Sequence, residues 1–181
     1  MNIIVTGGLG FIGSAFVRYA SNQGAHCIVI DNMTYAADKN RLNGYNYELV
    51  TKDICEDVAW ACQGAHYIVN FAAESHVDNS IKDGKPFIKS NVEGTFNMLE
   101  IARKLPTLKR FVQISTDEVY GDISYQKESG EFDRLEPSSY YSATKAAAEM
   151  LVMAAGRTYS LPHIITRTCN NFGVEQHKEK F

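Results

Sequence analysis

Short apolar runs rich in β-branched residues alternate along the chain with longer segments whose apolar residues recur at helical spacing. The runs typical of buried strands are Asn2–Thr6, His26–Asp31, Tyr47–Thr51, His66–Phe71, Arg110–Ile114 and Pro162–Arg167. The segments with helical periodicity are Ile12–Asn22, Pro86–Lys104 and Tyr141–Thr158. Strands that alternate with helices at this spacing predict right-handed βαβ crossovers and a parallel sheet.

The same alternation predicts the fold class and the domain organisation. We expect an α/β fold, a Rossmann-like doubly wound parallel sheet with helices on both faces. No linker rich in Pro, Gly or Ser divides the chain, and the alternation stops after Gly173. The sequence therefore predicts one sheet domain over residues 1–173, followed by a short polar segment over residues 174–181.

Composition and charge narrow the class of protein. Of the 181 residues, 45% are hydrophobic and 22% are charged, values typical of a soluble globular domain. The net charge of −3 gives no sign of a nucleic-acid or membrane-surface partner. We see neither a signal peptide nor an apolar run long enough for a membrane span. The four cysteines form no C-x-x-C pair, so we expect reduced, mostly buried thiols and a cytoplasmic location.

A glycine-rich loop joins the first predicted strand to the first predicted helix. Gly7, Gly10 and Gly13 form the pattern G-x-x-G-x-x-G in "TGGLGFIGS". One glycine permits a tight turn, another lets the backbone approach a pyrophosphate, and the third lets the helix pack closely on the strand. The N-terminus of the helix then offers N–H groups and a positive dipole end. The position of this loop directly after a strand favours a dinucleotide site over an ordinary turn.

The end of the second strand indicates which dinucleotide binds. Asp31 is placed to accept hydrogen bonds from both ribose hydroxyls of NAD, and it would repel the extra phosphate of NADP. Asn32, not arginine, follows it, so we predict NAD as the cofactor. Asp53 and Ile54, after the third strand, are placed to flank the adenine, although Asp53 alone also fits a helix N-cap.

Tyr141 and Lys145 lie four residues apart in "YSATK", which places them on one face of a helix. A tyrosine with a pKa of about 10 becomes a base near pH 7 only if roughly 4 kcal/mol favours its phenolate. A lysine ammonium and a positive nicotinamide ring supply such stabilisation in a shielded site. Thr116 is placed to hold the same substrate hydroxyl. The alternative is a surface tyrosine with a solvated lysine, but the preceding dinucleotide loop favours catalysis.

Two carboxylates, Asp117 and Glu118, follow the fifth predicted strand. Close carboxylates tend to share one proton and to separate their titrations, so their adjacency favours one acid and one base. The alternative is a solvated pair at a strand end.

The five histidines show no spacing typical of metal ligands, and we predict no metal. Ser75, His76 and Asp78 do not suggest a hydrolytic triad, because the chain has no G-x-S-x-G elbow.

These motifs together resemble the extended short-chain dehydrogenase/reductase family, and within it the nucleotide-sugar 4,6-dehydratases of the dTDP-glucose and UDP-glucose types. The motifs that carry the resemblance are "TGGLGFIGS", "DNMTYA", "FAAESHVDNSI", "NVEGT", "STDEVYG", "YSATKAAAE" and "NNFG". They occur in the family's order over almost the whole chain. The motif "STDEVYG" is the most specific, because epimerases and decarboxylases of the family usually lack its Asp-Glu pair.

The resemblance implies a catalytic role for each motif residue. Tyr141, with Thr116 and Lys145, would take the proton of the sugar's 4-hydroxyl while hydride passes from C4 to NAD. Glu118 would then remove the C5 proton and Asp117 would protonate the departing 6-hydroxyl, after which the hydride returns to C6. The resemblance also implies cofactor contacts at Phe11, Ile12, Asp31, Asn32, Thr34, Phe71, Ala72, Ala73, Ser90 and Asn171, and sugar contacts at Glu74 and Asn170.

The resemblance implies further parts and partners. The family places a smaller substrate-binding lobe after the sheet domain. Residues 174–181 would be only the start of that lobe, most of which is not in this sequence. We therefore expect weak or no turnover by this chain alone, since remote binding energy positions the substrate. The family also pairs the helices at residues 86–104 and 141–158 across a two-fold axis, which predicts a homodimer. Tyr140 stands where the dehydratases usually carry proline, which would alter only the start of the helix.

The sequence leaves two other functions open. One is a UDP-sugar 4-epimerase or decarboxylase of the same family, against which the Asp117–Glu118 pair argues. The other is a non-catalytic module that binds NAD. The sequence does not choose between dTDP and UDP sugars, because the lobe that would contact the base is not in it.

Overall fold

Six parallel strands form a single sheet in the computed structural model, which describes residues 1–123 and 128–176. The strands are β1 (Asn2–Thr6), β2 (His26–Asp31), β3 (Tyr47–Thr51), β4 (Tyr67–Asn70), β5 (Arg110–Thr116) and β6 (His163–Thr168). Their order is β3-β2-β1-β4-β5-β6, and every neighbouring pair is parallel. The predicted Rossmann-like doubly wound sheet is therefore confirmed. The order reverses between β1 and β4, where such folds form a crevice at the carboxyl ends of the strands.

Helices connect the strands on both faces of the sheet. The α-helices are α1 (Phe11–Asn22), α2 (Val77–Lys82), α3 (Lys85–Phe87), α4 (Thr95–Ala102) and α5 (Tyr140–Tyr159). Short 3₁₀ helices span Lys39–Leu42, Ala59–Cys62 and Asp117–Tyr120, and a π-helical segment spans Ile88–Gly94. No helix in the described part of the chain is long and apolar enough to cross a membrane.

Several predicted element bounds were wrong. The helix expected over Pro86–Lys104 is instead α3, the π-helical segment and α4 in succession, because apolar spacing over seven residues does not distinguish π from α winding. Strand β5 continues to Thr116 because its last residues pair with β6. Helix α5 begins at Tyr140, and its N-terminus is held by a capping box in which Ser139 and Ser142 bond reciprocally. Proline is therefore not needed at this start.

Apolar side chains pack on both faces of the sheet. One cluster joins the fully buried Ile4, Ile68 and Phe111 to α4 and α5, while the other joins the fully buried Val5 and Val29 to α1. Adjacent residues of β1 thus face opposite layers, as the period of two in a strand requires.

All four cysteines are free thiols. Cys27 and Cys62 are buried, whereas Cys55 is partly exposed and Cys169 is exposed. The expectation of mostly buried thiols therefore holds for two of them.

A chain of buried polar side chains ties the central strands together at their carboxyl ends. Thr6 Oγ1 donates a hydrogen bond to Asn70 Oδ1, and Asn70 Nδ2 donates to Gln113 Oε1 at 2.9 Å and to Thr95 Oγ1 at 3.2 Å. The backbone N–H of Ala72 donates to Thr6 Oγ1 at 3.2 Å. Buried polar groups that are satisfied in this way hold a unique register. The network fixes the chain that leaves β4 at the floor of the crevice.

Candidate active site

A cavity of about 710 Å³ lies at the carboxyl ends of the strands, where the topology predicts a crevice. Almost all of the residues proposed from the sequence line it. They are Gly7, Gly10, Phe11, Ile12, Gly13, Asp31, Asn32, Thr34, Asp53, Ile54, Phe71, Ala72, Ala73, Glu74, Ser90, Thr116, Glu118, Tyr141, Lys145, Asn170 and Asn171. The fold thus brings the predicted cofactor and catalytic residues into one space.

The glycine loop is too tightly packed for side chains. Gly7 has a φ of +64°, and a Cβ atom there would lie 2.8 Å from the backbone of Ala72. A Cβ atom on Gly13 would lie 2.3 Å from the carbonyl oxygen of Gly7. Both contacts are impossible for a side-chain carbon. Helix α1 begins at Phe11, directly after Gly10, so its unpaired first-turn N–H groups lie beside the cavity, as an anionic pyrophosphate requires.

Asp31 is buried at the end of β2 and holds the loops on either side of it. Its two carboxylate oxygens accept hydrogen bonds from the backbone N–H groups of Leu9 at 3.0 Å and of Met33 at 2.9 Å. Each carboxylate oxygen has a second lone pair, so both can still accept from ribose hydroxyls. The arrangement fits the ribose of NAD and disfavours the extra phosphate of NADP.

Asp53 holds a turn at the edge of the cavity and does not cap a helix. Its carboxylate accepts a hydrogen bond from the backbone N–H of Cys55 at 2.9 Å. Burial raises the pKa of Asp53, but hydrogen bonds from Cys55 and Asn32, together with the Lys89 ammonium 3.7 Å away, outweigh burial and lower it. The carboxylate therefore remains charged next to the predicted adenine position.

Tyr141 lies buried at the start of α5, hydrogen-bonded to the side chain of Thr116. Burial, and then the negative charge of Glu118, raise the pKa of Tyr141 to about 12, although the Thr116 hydrogen bond opposes this. The phenol is therefore protonated at neutral pH in the chain by itself. The reduced pKa expected from the sequence also depends on a positive nicotinamide ring and stays a prediction.

Lys145 is buried one helical turn after Tyr141, and its ammonium donates a hydrogen bond to the carbonyl oxygen of Ile114 at the end of β5. Burial lowers the pKa of Lys145 to about 8, and the carboxylate of Glu149 partly offsets this effect. The lysine is thus still mostly protonated at neutral pH, but it loses its proton at a pH only slightly higher. Its charge is available for stabilising a phenolate in the same cavity wall.

The two adjacent acids do not share one environment. They begin the 3₁₀ helix Asp117–Tyr120, in which successive side chains project about a third of a turn apart. Glu118 is half-buried and lines the cavity, whereas Asp117 is exposed and is not part of the cavity wall. The carboxylate of Asp117 accepts a hydrogen bond from Thr116 Oγ1 at 3.2 Å. Asp117 as the general acid therefore stays a prediction that the cavity geometry does not support directly.

Glu74 is held by a residue that the sequence analysis missed. Asn91, buried in the π-helical segment, accepts a hydrogen bond from the backbone N–H of Glu74 at 2.8 Å and donates one to its carbonyl oxygen at 3.0 Å. Its amide also donates to Thr144 Oγ1 on α5 at 3.0 Å. Burial raises the pKa of Glu74. The predicted sugar contact is thus rigidly mounted between α5 and the π-helical segment.

Other cavity residues escaped the sequence analysis or were set aside by it. They are Ile30, Tyr35, Ala36, Ala37, Lys52, Ser75, His76, Val77, Asp78, Ile114, Ser115, Thr168, Cys169, Phe172 and Gln176. Many lie at or just after the carboxyl end of a strand, a position that could have identified them. In the described part of the chain, no group of three or more His, Cys, Asp or Glu side chains could hold a metal ion.

Comparison with known proteins places this geometry in context. The chain is 49% identical to the low-salt glycan biosynthesis protein Agl12 of Haloferax volcanii, over 99% of this chain and 60% of that protein. It is 43% identical to dTDP-glucose 4,6-dehydratase of Haemophilus influenzae, over 99% of this chain and 59% of that protein. A solved structure of a double mutant of DesIV, a dTDP-glucose 4,6-dehydratase from Streptomyces venezuelae with NAD bound, matches with a TM-score of 0.91 at 40% identity, over 99% of this chain and 59% of that one.

The chain thus spans about three fifths of the length of these relatives. Residues 3–181 match the family described as NAD dependent epimerase/dehydratase, which includes nearly every residue of the sequence. The glycine loop, the aspartate at the end of the second strand and the tyrosine–lysine pair also surround one crevice. We conclude that this chain belongs to the NAD dependent epimerase/dehydratase family.

Proposed function

We propose that this protein is an NAD-dependent nucleotide-sugar 4,6-dehydratase that acts on dTDP-glucose. The observation that carries the proposal is the position of Glu118 in the wall of the cavity that also contains Tyr141 and Lys145. A simple alcohol dehydrogenase needs no carboxylate beside its tyrosine, whereas an elimination across C5 and C6 needs a base. The similarity to dTDP-glucose 4,6-dehydratases supports the choice of substrate.

NAD, when bound, would accept hydride from C4 of the sugar and return it to C6. The residues that would hold it are the glycine loop at the pyrophosphate, Asp31 at the adenosine ribose, and Asp53 and Ile54 beside the adenine. The impossible Cβ positions at Gly7 and Gly13 support this placement, because they require the tight turn and the close packing of helix on strand that this loop uses to bind a pyrophosphate.

The side chains of this chain would then move three protons. Tyr141 takes the proton of the 4-hydroxyl, with Thr116 holding that oxygen and Lys145 stabilising the phenolate. The resulting 4-ketone acidifies the C5 hydrogen, which Glu118 removes as general base and would return to C5 when hydride reaches C6. Asp117 protonates the departing 6-hydroxyl, which requires its exposed carboxyl group to turn toward the cavity once a sugar is bound.

Two features of the whole protein are also part of the proposal. We assign residues 1–173 to the NAD-binding domain with the catalytic residues, and residues 174–181 to the start of a substrate-binding lobe. Residues 177–181 lie outside the described residues. Without such a lobe the chain would bind dTDP-glucose weakly and turn over slowly or not at all. The free cysteines are consistent with a location in the reducing cytoplasm.

The test is conversion of dTDP-glucose in the presence of NAD by a chain that includes the substrate-binding lobe, followed by mass spectrometry for loss of water. In Glu118→Gln we expect elimination to slow by roughly 10²–10⁴-fold, because the general base is lost. Oxidation at C4 should continue, so NADH should accumulate and be seen by its absorbance.

Glu100→Gln, a change on α4 outside the cavity wall, is the matched control and should behave as the unaltered protein. Full dehydratase activity in Glu118→Gln would remove Glu118 from the mechanism. Release of a C4 epimer without loss of water would instead favour the 4-epimerase. Binding of NAD with no reaction of any tested dTDP- or UDP-sugar would favour a non-catalytic module.

A further inference from the structure

A buried ion pair lies behind the cavity and contributes no residue to its wall. The side chain of Glu149, on α5, is fully buried, and that of Arg167, on β6, is 17% exposed. Arg167 Nε lies 3.1 and 3.0 Å from the two carboxylate oxygens of Glu149, and Nη2 lies 2.7 Å from Oε2. This forked geometry fixes the plane of the guanidinium. A buried ion pair is by itself weak evidence for a stabilising role. The role of this pair is indicated by the other groups that Arg167 contacts.

The free edge of the same guanidinium contacts the turn that carries the acids. Arg167 Nη1 donates hydrogen bonds to Tyr120 Oη at 2.6 Å and to the carbonyl oxygen of Glu131 at 2.9 Å. The guanidinium carbon also lies 4.9 Å from the centre of the Tyr120 ring. Tyr120 is the last residue of the 3₁₀ helix that contains Glu118. One side chain therefore connects α5, β6 and the acid-bearing turn.

The remaining anchors of that turn are mainly at the backbone. Thr116 Oγ1 accepts a hydrogen bond from the N–H of Glu118 at 3.2 Å, and the N–H of Glu136 donates to the carbonyl of Val119 at 3.0 Å. Gly121 ends the turn with a φ of +76°. Two side chains thus link the turn to the helix of Tyr141: Thr116, which is also hydrogen-bonded to Tyr141 itself, and Tyr120, through Arg167 and Glu149.

We propose that Arg167, oriented by Glu149, is a positioning residue that fixes Glu118 relative to Tyr141 through the hydroxyl of Tyr120. The inference rests on the proposed function, in which Tyr141 acts at C4 and Glu118 at C5 of the same sugar. Such a pair must keep its spacing, because a displacement of about 1 Å can slow a reaction about 10²-fold. Loss of the network should therefore slow the elimination more than the oxidation.

The decisive variant is Tyr120→Phe, which removes the hydroxyl but keeps the ring over the guanidinium. With NAD bound, we expect amide hydrogen exchange at Glu118 and Gly121 to rise at least about 10-fold, while amides of β1 stay unchanged. With dTDP-glucose, we expect elimination to slow about 10–10²-fold with NADH accumulating and KM unchanged. Arg167→Lys, which loses the forked geometry, should give the same pattern. Tyr19→Phe, on the exposed side of α1, is the matched control.

The two measurements separate this inference from the proposed function. If the otherwise unaltered protein with its substrate-binding lobe does not convert dTDP-glucose, the proposed function fails, and the amide exchange alone decides the positioning role. Unchanged exchange at Glu118 and Gly121 would overturn that role, as would a uniform increase through all strands, which would indicate a general loss of stability. Altered exchange with an unaltered elimination rate in an active protein would also overturn it.

Discussion

At the residue scale, the site combines two groups whose protonation is shifted by burial in opposite directions. Burial raises the pKa of Tyr141 to about 12 and lowers that of Lys145 to about 8, since it disfavours the charged form of each. Both groups are thus neutral over a wider pH range than in water. A bound positive ring beside Tyr141 would favour its phenolate, so cofactor binding is expected to be coupled to loss of a proton from this pair.

The depressed pKa of Lys145 predicts a pH dependence of stability. Between pH of about 8 and about 10.4, the unfolded chain keeps the lysine proton and the folded chain does not. Stability therefore rises with pH in this window, by roughly 3 kcal/mol in total. Urea unfolding of the unaltered chain and of Lys145→Met across this range should show the unaltered chain gaining this amount relative to the variant. A constant difference between the two proteins would contradict the depressed pKa.

At the element scale, the π-helical segment Ile88–Gly94 brings a buried asparagine and a close backbone contact to the cavity. Asn91 forms hydrogen bonds with both backbone groups of Glu74, and Gly94 packs against Ile54, which lines the cavity where the adenine is predicted. A Cβ atom on Gly94 would lie 2.5 Å from Ile54 Cδ1 and 2.6 Å from Cγ1. Irregular helical turns often lie at functional sites, and this one contacts both the predicted cofactor and sugar residues.

Gly94→Ala should therefore destabilise the fold, although alanine favours helix. We expect the free energy of unfolding to fall by about 1–3 kcal/mol, because overpacking against Ile54 outweighs the better helix propensity. In the double variant with Ile54→Ala, the loss should be smaller than the sum of the single losses, as denaturant unfolding of the four proteins would show. Gly130→Ala, at an open surface position, is the control and should change stability by less than about 0.5 kcal/mol. Strict additivity would refute the contact.

At the scale of the whole molecule, the sheet buries its two faces, but the helical layer of α4 and α5 keeps apolar side chains in solvent. Ile88, Phe96, Tyr140 and Met150 are each about half exposed or more. Such side chains on one layer often mark a contact between proteins. They support the proposal that two copies associate through the helices at residues 86–104 and 141–158.

Light scattering should therefore give twice the mass of the chain. Combining Phe96→Lys with Met150→Lys should reduce the mass to that of one chain, because two charges would be buried without partners in each half of the interface. Tyr19→Lys, on α1, changes another exposed apolar side chain on a different surface and should leave the dimer intact. A monomer mass for the unaltered chain at all concentrations tested would exclude this association.

Sequence alone determined the architecture, because the period of its apolar residues and the glycines after β1 are local properties that a strand or a tight turn requires. It also predicted the cofactor loop, Asp31, Tyr141 and Lys145, which the fold brings into one cavity. Tertiary structure decided what depends on distant contacts. It interrupted the expected helix with a π-helical segment, separated Asp117 from Glu118, and brought Asn91 to Glu74 and Arg167 to Tyr120. Asn91 and Glu74 are 17 residues apart, and Arg167 and Tyr120 are 47 residues apart, so only packing of the sheet and helices brings the members of each pair together.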